Sequence, residues 1–105
     1  MEESEFNRLA GATMAALEAG LEACDADLDF ELAPGGILEI EFADGSKIIV
    51  NKHGVAREIW VAAKAGGFHF RWSGAAWVDT RDNSELMQKL STLASQQAGE
   101  PVHLG

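Results

Sequence analysis

The residues of this chain best equipped for chemistry are carboxylates. Glu18, Glu22, Asp25, Asp27, Asp29 and Glu31 follow one another, and Glu39, Glu41 and Asp44 extend the series. From Leu9 to Ser46 these nine acids meet no Lys or Arg, while the remainder of the chain balances eight acids with eight bases. The net charge of −9 therefore lies in one stretch. Such a stretch repels phosphates, which argues against nucleic acid, and it attracts a basic protein, cations, or both. Carboxylate ligands suit hard cations. The set is no calcium loop, because Phe30 stands where that loop needs Gly and Gly36 where it needs a bidentate Glu. One Cys and three scattered His do not make a zinc site. An open row of carboxylates predicts weak, multiple and exchangeable cation binding. A solvated acidic face with no metal at all is the other reading of the same residues.

Conventional catalysis finds little support. There is no nucleophile elbow, no glycine-rich phosphate loop and no His-x-x-x-His, and no histidine adjoins a candidate nucleophile. Nothing in the residues calls for an organic cofactor. The second notable residue is Trp60, which sits in a strand between Ile59 and Val61. If those two face the core, Trp60 faces outward, beside Ile49, Asn51, His53, Glu58, His69 and Arg71. Trp and Arg among polar groups are typical of binding hot spots. Cover of Trp60 by the C-terminal tail is the alternative.

The elements that must position these groups are legible from periodicity. Phe6, Leu9, Ala10, Met14, Leu17, Leu21 and Cys24 recur at helical spacing, predicting a helix over 3–24 with Ser4 as its cap and Cys24 as a small buried hydrophobe. Glu18 and Glu22, four apart, share its exposed face. From Asp27 the period changes to two, the mark of a strand. Leu38, Ile40 and Phe42 point inward along a second strand, with Glu39 and Glu41 outward. A two-residue turn at Asp44-Gly45 would set Glu41 opposite Ile48. A three-residue loop over 43–45 with Gly45 left-handed instead pairs Ile40 with Ile48 and Leu38 with Val50, and only this register keeps one face apolar. Further strands follow at 57–63, 68–72 and 77–78. Asn83 or Ser84 caps a second helix to about Gln97, carrying Leu86, Leu90, Leu93 and Ala94. Gly99 and Pro101 end it. The tail from Val102 is expected over the sheet edge.

The fold class is thus α+β: one domain over 1–105, a two-layer sandwich with N- and C-terminal helices on one face of a mostly antiparallel sheet of about six strands. The other face is left for water or a partner. A lone cysteine, an acidic N-terminus and no long apolar run predict a cytoplasmic protein without signal peptide or membrane contact.

The sequence at 36–52, GILEIEFADGSKIIVNK, with IWVA at 59–62 and GGFHF at 66–70, resembles the signature of the frataxin family. SEFNRLA at 4–10, ASQQAGE at 94–100 and the lack of an N-terminal extension are similar to its bacterial branch. The resemblance covers essentially the whole chain. It implies a non-enzymatic protein of iron–sulfur cluster assembly that binds ferrous and ferric iron weakly, docks on the cysteine desulfurase and in some systems on the scaffold protein, and regulates cluster formation or delivers iron. It implies a monomer that iron can assemble into oligomers. Carried over, the iron ridge comprises Glu18, Glu22, Asp25, Asp27, Asp29 and Glu31, with Glu39, Glu41 and Asp44 as an extension. The docking patch centres on Asn51, Trp60 and His69. The first helix carries fewer acids than is common in the family, His53 stands where Gln is usual, and Glu58 replaces a frequent Gln. An adaptor that binds no metal remains the alternative. Ferroxidase or storage activity ranks last, because no carboxylate pair with histidine support is apparent.

Overall fold

The computed structural model describes residues 1–104. Helix α1 (Glu3–Ala23) leads into six strands, β1 (Leu28–Ala33), β2 (Ile37–Phe42), β3 (Lys47–His53), β4 (Glu58–Ala63), β5 (Gly66–Trp72) and β6 (Trp77–Asp79), and α2 (Leu86–Ala98) follows. The strands pair antiparallel in sequence order, because each connection is too short for a crossover. Both helices bury their apolar stripes against one face of this sheet. Phe6, Ala10, Met14, Leu17 and Leu21 from α1 and Leu86, Leu90, Leu93 and Ala94 from α2 share one core with Leu38, Ile40, Phe42, Ile48, Val50, Ile59, Val61, Phe70 and Trp77. Each large apolar side chain so buried contributes about 1.5–3 kcal/mol.

The loop after β2 has the predicted form. Ile40 pairs with Ile48 and Leu38 with Val50. Gly45 takes φ 85° and donates its N–H to the Phe42 carbonyl.

Five details differ from the sequence reading. Glu2 is the N-cap of α1 and makes no side-chain cap bond, while Glu3 and Glu5 stand at the positive end of the helix dipole. Cys24 is only partly buried, since α1 ends one residue before it. Arg57 lies outside β4 with φ 55°, closing the turn after His53 in a left-handed conformation. The second helix begins at Leu86, because Ser84 is already committed: its N–H and hydroxyl both donate to Asp82 Oδ1, and left-handed Asn83 turns the chain. Glu85 caps the helix instead, accepting from the N–H groups of Met87 and Gln88. Finally, the tail runs between the two helices and not over the sheet edge. Val102 and Leu104 are buried there, and Ser91 and Ser95 of α2 bond its backbone.

Lys89 ties α2 to the sheet. Its ammonium lies 2.8 Å from Asp82 and 3.6 Å from buried Asp79, with the Phe68 ring centroid at 5.0 Å. The Lys89 contact, with two bonds from Ser84, holds the Asp82 carboxyl well below the ordinary carboxylate range. A carboxyl so lowered adds stability that is complete above the unfolded value near ~4 and is lost as pH falls through the folded value. Asp82→Asn keeps the acceptor for Ser84 and removes only the charge. The variant should be less stable than the wild type at neutral pH, with the gap closing as pH drops below about 4. Urea titrations at several pH values read this directly.

Candidate functional site

The open sheet face is built by alternation. Every second residue of each strand points away from the helices, and the register then decides which of them meet. On β1 and β2 the outcome is electrostatically poor: Asp29 stands opposite Glu41, and Glu31 opposite Glu39. Like charges directly across a ladder destabilise it. One cation relieves the cluster. Lys47, opposite Glu41, places its ammonium 2.8 Å from Glu39, and this contact holds the lysine's proton above its ordinary range.

The nine sequence-selected acids do not form one site. Glu18 is half-buried on α1, and Glu22, Asp25 and Asp27 are exposed at the helix end and in the bend before β1. Asp29, Glu31, Glu39 and Glu41 share the sheet face. Asp44 lies in the following loop, where its Oδ1 accepts from the hydroxyl and N–H of Ser46 and Lys64 lies at 3.8 Å. Those contacts, the hydroxyl foremost, lower its carboxyl below the usual range. Glu39 and Asp44 are thus already partnered. Among the described residues, no three His, Cys, Asp or Glu side chains converge closely enough to hold a metal ion. The acids form an open field that can concentrate cations or attract a basic surface. Because that field is self-repelling, the melting temperature should rise as NaCl or a divalent salt is added. Calorimetry at fixed pH across ionic strength measures the slope.

The other half of the open face, over β3–β5, is aromatic. Asn51 pairs with Trp60, and Trp60 with His69; His53 pairs with Glu58, and Glu58 with Arg71. Trp60 is covered by histidines and not by the C-terminal tail. Its ring is stacked on His53 with centroids 3.7 Å apart and planes 16° apart, and on His69 at 4.4 Å and 9°. The indole Nε1–H donates to Glu58 Oε1 at 2.8 Å, and His69 Nδ1 lies 3.7 Å from the same oxygen. His53 Nδ1 accepts from the Ala56 N–H at 3.2 Å. Beside the stack, Ile49, Asn51, Ala62, Gly67 and His69 line a shallow hollow of about 260 Å³. Ile37, opposite Asn51, extends the apolar surface and is 37% exposed.

Alternation alone places Trp60, Asn51 and His69 on one face, but the three-ring stack needs the registers of two strand pairs. The signal was available: a His on each neighbouring strand, in phase with Trp60.

A family model described as a frataxin-like domain matches residues 1–100. The iron-sulfur cluster assembly protein CyaY of Dechloromonas aromatica (strain RCB) is 75% identical over 104 residues, covering 99% of each chain. The protein of the same name from Janthinobacterium sp. (strain Marseille) is 53% identical over 108 residues, covering 99% of this chain and 96% of that one. Among solved structures, frataxin from Psychromonas ingrahamii superposes with a TM-score of 0.91 at 28% identity, covering 100% of this chain and 99% of that one. Trimeric frataxin from the yeast Saccharomyces cerevisiae, complexed with ferrous, gives a TM-score of 0.69 at 22% identity, covering 95% of this chain and 88% of that one. At that identity the likeness speaks for the fold alone.

Proposed function

This chain belongs to the frataxin-like family, and from that membership we propose that it regulates iron–sulfur cluster assembly by docking on the cysteine desulfurase. The observation that carries the reading is the division of the open sheet face. Its acidic half, on β1 and β2, steers a basic partner; its aromatic half, on β3–β5, supplies short-range contact through Trp60 and Asn51. Glu18, Glu22, Asp25 and Asp27 continue the acidic field beyond the sheet edge. Ferrous and ferric iron, as cargo or signal, bind this field weakly and exchange freely, and each bound ion lowers the charge available for docking. The scaffold protein is the second partner that the aromatic half can serve. The protein acts in the cytoplasm, as a monomer until iron gathers several copies. Among the described residues no helix is long and apolar enough to cross a membrane.

The test is a cluster-assembly assay with purified desulfurase and scaffold, run at low and at high iron. The rate should change on adding this chain at low ionic strength, and the change should shrink in salt. A rate indifferent to the protein at both iron levels overturns the reading.

A second reading, an adaptor that uses no metal, is favoured by one observation: no three ligating side chains converge among the described residues. Anaerobic titration with ferrous iron in excess magnesium separates the two. Displacement of iron by magnesium at similar concentrations selects the adaptor.

A further inference from the structure

Trp60 is the largest side chain on the open face, yet neither of its ring faces is free. His53 covers one and His69 the other. Its single polar atom is also taken, since Nε1–H donates to Glu58 Oε1 at 2.8 Å. A partner therefore meets the indole edge, standing between two imidazoles. An exposed Trp on a flat sheet has several rotamers to choose from, and each interface side chain immobilised on binding costs about 0.5–1.5 kcal/mol. Here that ordering is done in the free protein.

We propose that His53, Glu58 and His69 are positioning residues for Trp60: they hold the indole edge-on in the free protein. The role in docking rests on the reading above; the clamp itself does not. The two histidines are not equivalent. His53 Nδ1 accepts the Ala56 N–H, so its ring is fixed from the β3–β4 turn. His69 Nδ1 faces Glu58 Oε1 at 3.7 Å. The charged groups around the stack are few. Glu58 comes from β4, Arg71 stands opposite it on β5, and Arg57, in the turn, lies 3.9 Å from Glu3 of α1. Asn51 on β3 is neutral.

The indole N–H resonances of the free chain test the clamp. Trp60 is assigned by its loss in Trp60→Phe, and the resonances of Trp72 and Trp77, which pack together with ring centroids 5.5 Å apart, report that the fold is intact. Glu58→Leu and His53→Ala should displace and broaden the Trp60 resonance. Glu58→Gln, which keeps an acceptor, and His53→Phe, which keeps a stacked ring, should restore it. His69→Ala should act as His53→Ala does, and His69→Phe, which keeps a stacked ring, should restore the resonance. A Trp60 resonance indifferent to Glu58→Leu, His53→Ala and His69→Ala overturns the clamp. Binding to purified cysteine desulfurase is the second arm. It should weaken in Glu58→Leu and recover in Glu58→Gln. Equal binding by the two overturns the positioning role, whereas desulfurase binding that survives Trp60→Ala shows instead that the docking reading is wrong.

Discussion

Leu104→Ala is expected to destabilise the fold by about 2–3 kcal/mol, a large share of the ~5–15 kcal/mol that holds a domain together. For a chain of this size that corresponds to a fall in melting temperature of roughly 8–20 °C. The reason lies in what the tail does. Val102 and Leu104 are 4% and 2% exposed, inserted between α1 and α2. Their backbone is bonded to α2 as well: Val102 N–H donates to Ser95 Oγ at 2.8 Å, and Leu104 N–H to Ser91 Oγ at 3.0 Å. Both helices are packed on the sheet in one core with Leu104, so collapse is resisted and the lost methyls leave a cavity. On the α1 side the tail approaches backbone to backbone. A Cβ on Gly20 would lie 2.7 Å from the Leu104 carbonyl oxygen. Gly→Ala within a helix ordinarily stabilises by up to ~1 kcal/mol. Gly20→Ala should do the opposite, because the obstructing atom is main chain and the tail must shift to admit the methyl. Urea unfolding of both variants checks the pair. If Gly20→Ala raises the midpoint, the tail does not hold the close seat against α1 described above.

This tail marks the boundary of what the sequence made legible. Long periodic segments were readable: the apolar stripes of α1 and α2, the inward rows of β2 to β5, and the Ala43–Gly45 loop, whose length followed from keeping Ile40 opposite Ile48. The short segment after α2 has no period to read, so Val102 and Leu104 could only be placed by packing. Local competition hid the start of α2. Asn83 and Ser84 are both good capping types, but Asp82 captures Ser84 first, leaving the cap to Glu85, whose type is less common there. Arg57 was hidden for a related reason, since a left-handed backbone is rare for an arginine and nothing in its neighbours announces it. The candidate site was readable as two lists, acids and exposed polar-aromatic residues. Which acids are free was not, because the Glu39–Lys47 and Asp44–Lys64 contacts depend on register and loop shape.

That last distinction decides which carboxylates the proposed docking should depend on. Asp29, Glu31 and Glu41 are exposed on the sheet face and, unlike Glu39, are not closed into an ion pair by Lys47. Asp29→Asn/Glu31→Gln/Glu41→Gln removes three charges while keeping side-chain size. With a basic docking partner at low ionic strength, the association rate should fall by about 10-fold or more, since steering by clustered charge is worth 10- to 1000-fold. The dissociation rate should change little, because exposed charges act mainly on encounter. In about 1 M salt, where screening extends only about 3 Å, wild type and variant should associate at nearly equal rates. The fold itself should be as stable as the wild type or more so, as both opposed pairs, Asp29–Glu41 and Glu31–Glu39, lose their repulsion. Trp60→Ala should show the converse pattern: faster dissociation, and a defect that persists in salt. Stopped-flow binding across a salt series resolves the two. An amide variant that associates normally but releases faster would place these carboxylates inside the contact itself, where a bound cation or a partner's lysine would have to sit between the strands.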